Sequence, residues 1–190
     1  MRVMRKVGSA VSRFVCRCLP VFRSYRSRRV SAALREKAVG CGLCRPWQQR
    51  WRDGASVSEM LDMYVEGIDF CIEHDYPGND VLKKYGGKDL ARHGVFVDAV
   101  FSAENPGTIV ANGHCDGKVR YDGFNVGNLY IRHGSHVAVE TRERGQAFIE
   151  VYDDAHVRVS NTGRRPCFVY RYGGTVECSG DVRVRDRTGR

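Results

Sequence analysis

Short runs in which apolar and polar residues alternate fill the last third of the chain. Leu129/Ile131, Val137/Val139, Ile149/Val151, Val157/Val159, Val169 with its neighbours, Val176/Cys178 and Val182/Val184 each place apolar side chains at period two. That is the mark of strands with one buried face. Turn residues separate the runs: Gly134-Ser135, Gly145, Asp153-Asp154, Asn161-Thr162-Gly163, Gly173-Gly174 and Ser179-Gly180.

The spacing carries further information. Val137, Val157 and Val176 recur at near-equal steps, and Leu129, Ile149 and Val169 recur at equal ones. Every second strand therefore repeats at about the length of one β-solenoid coil. In such a coil each strand pairs with its equivalent one coil later, and inward side chains stack. An antiparallel β-sandwich also spaces its strands this way, but the two-strand period favours coils.

Upstream the period changes. Ser56 and Glu59 fit a capping box, and Val57, Met60, Leu61, Tyr64, Val65, Ile68, Cys71 and Ile72 recur at helical steps. Pro77-Gly78 stops that helix, a shorter one starts at Asn79 or Asp80, and Gly86-Gly87 ends it. Val95-Phe96-Val97 reads as a first strand. The expected fold class is α+β, with a small N-terminal helical module over 41–105. A short right-handed β-solenoid-like stack of strands follows over 106–190.

Charge separates a third segment. Residues 1–52 hold 14 Lys and Arg against one acidic residue, Glu36, a net +13; residues 53–190 sum to −4. Residues 1–40 read as a basic leader, either a disordered arm or an extension of the folded protein. A membrane-surface helix, a nucleic-acid arm and an organelle transit peptide are competing readings. No apolar run is long enough for a transmembrane helix. The eight cysteines, without a secretion signal, are expected as reduced thiols in a cytoplasm.

Cysteine spacing offers one metal hypothesis. Cys41 and Cys44 form a Cys-x-x-Cys pair, and Cys71 and His74 sit three apart on the expected helix. Three thiolates and an imidazole suit a tetrahedral structural zinc. The gap between the pairs is longer than in common zinc ribbons, and Cys71 also lies on the apolar stripe.

Trp47 and Trp51, four apart beside Arg45, Arg50 and Arg52, suggest either a base-stacking platform or the packed face of a short helix. His114 and Cys115 adjoin in an expected polar turn. Adjacent residues of an extended segment face opposite ways, so His114 is a poor base for Cys115, and His133 or His136 would have to substitute. His74-Asp75 and Asp98 read as isolated acid–base groups. Asp153-Asp154 lacks calcium-loop spacing.

Cys41-Gly-Leu-Cys44, Gly67-Ile-Asp-Phe-Cys-Ile-Glu-His-Asp-Tyr-Pro77, Tyr130-Ile-Arg-His133 and Val182-Arg-Val-Arg-Asp186 together resemble a group of uncharacterised proteins of gut Bacteroides-type bacteria and their phages or mobile elements. The resemblance covers about residues 41–186. It implies a bacterial or phage setting, cytoplasmic or virion-associated, which argues against the transit peptide, and it carries over no catalytic residues.

The expected function is a non-enzymatic structural or binding protein that uses a solenoid surface. An exposed stripe of Arg132, His133, His136, Arg158, Arg171, Tyr172, Arg183 and Arg185 would meet a protein partner, or an open end would self-associate. One alternative is nucleic-acid binding through residues 1–52. Another is an enzyme with its site in a solenoid groove.

Overall fold

A computed structural model describes residues 19–189 of the chain, with side chains from Arg28 onward. The described residues divide into two compact units between Met60 and Leu61.

The first unit begins with helix α1 (Leu19–Gly40). The basic leader read at 1–40 falls outside the described residues up to residue 18; from Leu19 the chain is helical. Gly42 ends α1 with φ +91°. Leu43 N–H donates to the Ala38 carbonyl and Gly42 N–H to that of Val39, the two bonds of a Schellman motif. Helix α2 (Arg45–Arg50) follows, with Pro46 in its first turn, where a missing N–H costs nothing.

Helix α3 (Val57–Glu66) is started by the expected capping box. Glu59 Oε2 accepts the Ser56 N–H at 2.8 Å, and Ser56 Oγ accepts the Glu59 N–H at 3.2 Å. The single helix expected up to Pro77 is instead two. Gly67 leaves helical geometry, and α4 (Ile68–Glu73) ends at His74. Glycine costs roughly 1 kcal/mol in a helix interior, so the break falls there. Helices α5 (Asn79–Gly86) and α6 (Asp89–Arg92) complete the helical part.

A parallel β-solenoid follows. Strands β1 (Val95–Val97), β3 (Thr108–Asn112), β5 (Val126–Ile131), β7 (Gln146–Val151), β9 (Cys167–Arg171) and β11 (Val182–Asp186) form one sheet. Strands β2 (Val100–Glu104), β4 (Asp116–Tyr121), β6 (His136–Thr141), β8 (His156–Asn161) and β10 (Thr175–Gly180) form the other. Every pairing is parallel, which excludes the sandwich. Val137 pairs with Val157 and Val157 with Val176; Leu129 pairs with Ile149 and Ile149 with Val169. The solenoid starts at Val95, ahead of the boundary read at 105/106.

Two sheets share one core. Val119, Val139, Leu129, Ile149, Val157 and Val169 are buried in a single cluster. Fully burying each such side chain contributes about 1.5–3 kcal/mol. The column is fitted by size. A Cβ on Gly117 would collide with the Phe101 ring, and one on Gly127 would collide with Tyr121 Oη. The two glycines leave the room that the rings occupy.

The corners recur evenly along the chain. Gly113, Gly123, His133, Glu143 and Asp153 all have φ between +51° and +73°. The non-glycine members return the strain as contacts between coils. Glu143 Oε2 accepts the Gly123 N–H at 3.1 Å, and Asp153 Oδ2 accepts the His133 N–H at 2.9 Å. Inside another corner, Asn161 Nδ2 donates to the Arg165 and Asp181 carbonyls, while its Oδ1 accepts from Thr141 Oγ1 and the Gly163 N–H.

Candidate functional site

Strand alternation sends Asp116, Lys118 and Arg120 of β4 outward, with His136, Ala138 and Glu140 of β6 and His156, Arg158 and Ser160 of β8 beside them in register. On this outer face two adjoining hollows, of about 260 and 610 Å³, share Lys118, Ala138 and Arg158 as lining. The cause is local. The column runs Ser102, Lys118, Ala138, Arg158 and Glu177, and the short Ala138 between two long cations makes it dip at its centre.

Part of the charge around the dip is tied down, while Asp116 and Asp154 of the larger hollow have no ion-pair partner among the described residues. Arg120 reaches Glu104 at 3.4 Å and Glu140 at 3.3 Å, and Arg142 holds the other Glu140 oxygen at 2.7 Å. Arg158 donates to Glu177 at 2.8 Å. Hydrogen bonds from Arg142 and then Arg120 hold the Glu140 carboxyl below its ordinary range; the Arg158 hydrogen bond does the same for Glu177. Carboxyls shifted downward are poor proton donors near neutral pH. His136 and His156 lean together with ring centres 5.6 Å apart, and His156 Nδ1 lies 2.6 Å from Thr175 Oγ1. Lys118 is the cation of this trough without an ion-pair partner among the described residues.

The outer face of the other sheet is aromatic. Phe148 and Phe168 stack at 5.3 Å, Tyr152 and Tyr172 at 4.8 Å, and Arg183 stands over Phe168. Here the rings face one another. Glu150 accepts a short hydrogen bond from Tyr152, and burial pushes its carboxyl above the ordinary range, with the Asp69 charge adding to the effect.

The stripe expected from Arg132 to Arg185 is therefore not one surface. His136 and Arg158 belong to the five-stranded sheet, and Arg183 and Arg185 to the six-stranded one. Arg132 is buried in a corner, where Nη2 donates to Asp75 Oδ1 at 3.1 Å. His133 Nε2 lies 3.6 Å from the same oxygen.

The four residues of the zinc hypothesis fall in different units, Cys41 and Cys44 in the first and Cys71 and His74 in the second. Cys41 and Cys44 are exposed free thiols, Cys71 is buried, and His74 is exposed with its ring 4.6 Å from that of Phe70. No group of three or more metal-ligating side chains occurs among the described residues. His74 caps α4, its N–H donating to the Phe70 carbonyl at 3.2 Å. Burial raises the Cys71 thiol to about 12, the behaviour of a core cysteine.

Trp51 caps the end of α2 in an extended conformation and donates from Nε1 to Ser31 Oγ at 3.0 Å. Trp47 carries the Arg50 guanidinium over its ring at 5.0 Å. Arg45 and Arg52 are exposed. The Trp51 backbone N–H still donates to the Trp47 carbonyl at 3.0 Å, and each ring has an intramolecular partner, Ser31 for Trp51 and Arg50 for Trp47.

Cys115 is buried and its thiol donates to the Asn112 carbonyl at 3.2 Å; burial raises its pKa. His114 points outward, and His133 is occupied with Gly113, so no Cys–His pair forms. Asp98 is not isolated: it takes Lys83 Nζ at 2.7 Å and the His114 N–H at 2.9 Å, and these bonds lower its pKa.

Lys118, Ala138 and His156 escaped the sequence reading. Stepping one coil forward from His136, and one and two coils back from Arg158, would have found all three. No protein-family model, no curated protein and no solved structure matches the chain. No helix among the described residues is long and apolar enough to cross a membrane.

Proposed function

We propose that this chain is a non-enzymatic binding protein of a bacterial or phage setting, whose solenoid presents the five-stranded face to an acidic protein segment. The observation that carries the reading is the trough over Ala138, with the unpaired Lys118 on one side and Arg158 on the other. A stacked β-ladder is stiff, so the groups that meet the partner are held in place before binding, which lowers the entropy cost of association. A carboxylate seated over Ala138 would meet Lys118 directly and Arg158 in competition with Glu177.

Calorimetric titration with a tetraglutamate peptide at low salt tests this. The full chain should bind, and Lys118→Glu should weaken binding by about tenfold or more, since losing one charge pair and adding a repulsion exceeds about 1.4 kcal/mol. Equal affinity of parent and variant would sink the reading. Binding to the basic residues 1–52 persists unchanged in both proteins as a separate class of sites, so the affinity compared is that of the site which Lys118→Glu alters, resolved in the titration by its own stoichiometry.

Charge segregation supports nucleic-acid binding by residues 1–52 as a second reading, with +13 in that segment against −4 elsewhere. A steep loss of duplex affinity with salt would support it, and no retention of DNA or RNA at low salt would remove it.

A further inference from the structure

The two ends of the solenoid are finished differently. At the N-terminal end, Phe96 and Phe101 stack at 4.0 Å as a plug over the core, and α5 and α6 pack against β1. Val95, Val97 and Phe101 are all buried. At the C-terminal end, β10 pairs only with β8 and β11 only with β9, so both outer edges carry no strand among the described residues. The inward positions there are small and uncovered: Cys178 and Gly180 are exposed, Val182 is half-buried, and Val184 is 46 % exposed. Unpaired donors and acceptors beside uncovered apolar side chains form a template for another strand.

We propose that a second copy of this chain docks on this end, β10 of each copy pairing antiparallel with β11 of the other. The coil geometry selects the arrangement. Successive strands of a two-strand coil advance along the axis by about half of the roughly 4.8 Å strand spacing. A twofold axis parallel to the strands exchanges the two sheets, and the half-steps then cancel. Both edges close at bonding distance in one operation. A twofold axis that keeps each sheet with itself closes one edge and leaves the other about one strand spacing short. It also sets the Arg183 and Arg185 side chains of the two copies against each other.

The register follows from the last turn. Only Asp181 separates β10 from β11, so Gly180 and Val182 lie at the same level along the strand direction. A twofold axis parallel to the strands preserves that level. Gly180 then faces Val182 of the second copy, Cys178 faces Val184, and Glu177 faces Arg185. Inward residues meet inward residues, and outside them a carboxylate meets a cation. Arg185 stands over the Tyr170 ring at 5.9 Å and has no ion-pair partner among the described residues. Glu177 also holds Arg158 and His156 of its own chain, and a carboxylate has lone pairs for a third donor.

Sedimentation equilibrium of the full chain, with circular dichroism as the check on folding, reads the association. The expected mass is twice the 21.4 kDa of one chain. Glu177→Arg and Arg185→Glu should each weaken dimerisation by about tenfold or more, and the two reversals combined should restore it. Independently, Val184→Cys should form a disulfide-linked dimer under mild oxidation, and Cys178→Ser in that background should abolish it. A monomer at every concentration, failure of the combined reversal to recover, or a cross-link indifferent to Cys178→Ser would each overturn the proposal.

Discussion

The imidazole Nδ1 of His133 accepts the backbone N–H of Gly113 at 3.0 Å, across one coil of the solenoid. His133 holds φ +57° to do so. Its side chain therefore offsets a backbone cost of about 1 kcal/mol with a bond that a smaller residue cannot make. His133→Ala keeps the strain and loses the bond, so it should destabilise by about 1–2 kcal/mol. His133→Gly loses the bond but relieves the strain, so it should be the milder change by about 1 kcal/mol. Urea denaturation of both variants checks the order; Ala and Gly variants of equal stability would contradict it.

Asn161 satisfies four partners inside a corner, two as donor and two as acceptor. Asn161→Ala strands those groups away from water and should cost about 3 kcal/mol or more. Asn161→Asp should be worse at neutral pH, because an oxygen would then face the Arg165 and Asp181 carbonyls. Thermal unfolding of the two variants measures this, and an Asp variant as stable as the parent would contradict it.

Gly117 leaves the space that Phe101 fills. Gly117→Ala should cost about 1–3 kcal/mol by overpacking. Phe101→Leu should recover part of that loss in the Ala background while destabilising the parent. A double-mutant cycle gives the coupling, and strict additivity would show that the ring has room to move.

Glu150 sets a pH dependence. Burial, the largest cause, raises its folded pKa above the ordinary 4.5, so the folded state binds the proton more tightly than the unfolded one. Its effect on stability therefore falls as pH rises from the unfolded value through the higher folded one, and stays low above it. Glu150→Gln should raise the melting temperature at about pH 8 and change it little at about pH 4, while keeping an acceptor for Tyr152. A melting difference independent of pH would refute the assignment.

Thiol labelling should follow burial. Cys41 and Cys44 are exposed, whereas Cys71, Cys115 and Cys167 are buried; Cys178, exposed in the single chain, is covered in the proposed dimer and should label only as the dimer dissociates. With its thiol raised to about 12, Cys71 should alkylate only on unfolding. Mass-resolved labelling under native conditions checks this, and early modification of Cys71 would contradict it.

The strand ladder was legible in the chain because two regularities coincide there. Period-two apolar residues mark the inward face, and the coil-length step marks the partner strand. Val137, Val157 and Val176 show both. The capping box at Ser56 and Glu59 was equally legible, since its bonds close within one helical turn. Strand β4 was hidden because Gly117 breaks its apolar pattern. The reason for that glycine is Phe101, which lies on the preceding coil and becomes a neighbour only when the coils stack.

The candidate site was half legible. His136 and Arg158 were singled out as exposed polar residues, but joined to Arg183 and Arg185 of the opposite sheet, because alternation alone tells inward from outward and not one sheet from the other. By itself the sequence determined the coil length, the inward residues and the parallel register. Tertiary structure decided the rest: that Gly67 divides the helix, that Arg132 is buried against Asp75, and that Ala138 opens a trough between Lys118 and Arg158. Local patterns act over one strand or one turn, whereas a surface hollow or a paired charge depends on side chains a coil or more apart in sequence. Those meet only once the coils are stacked.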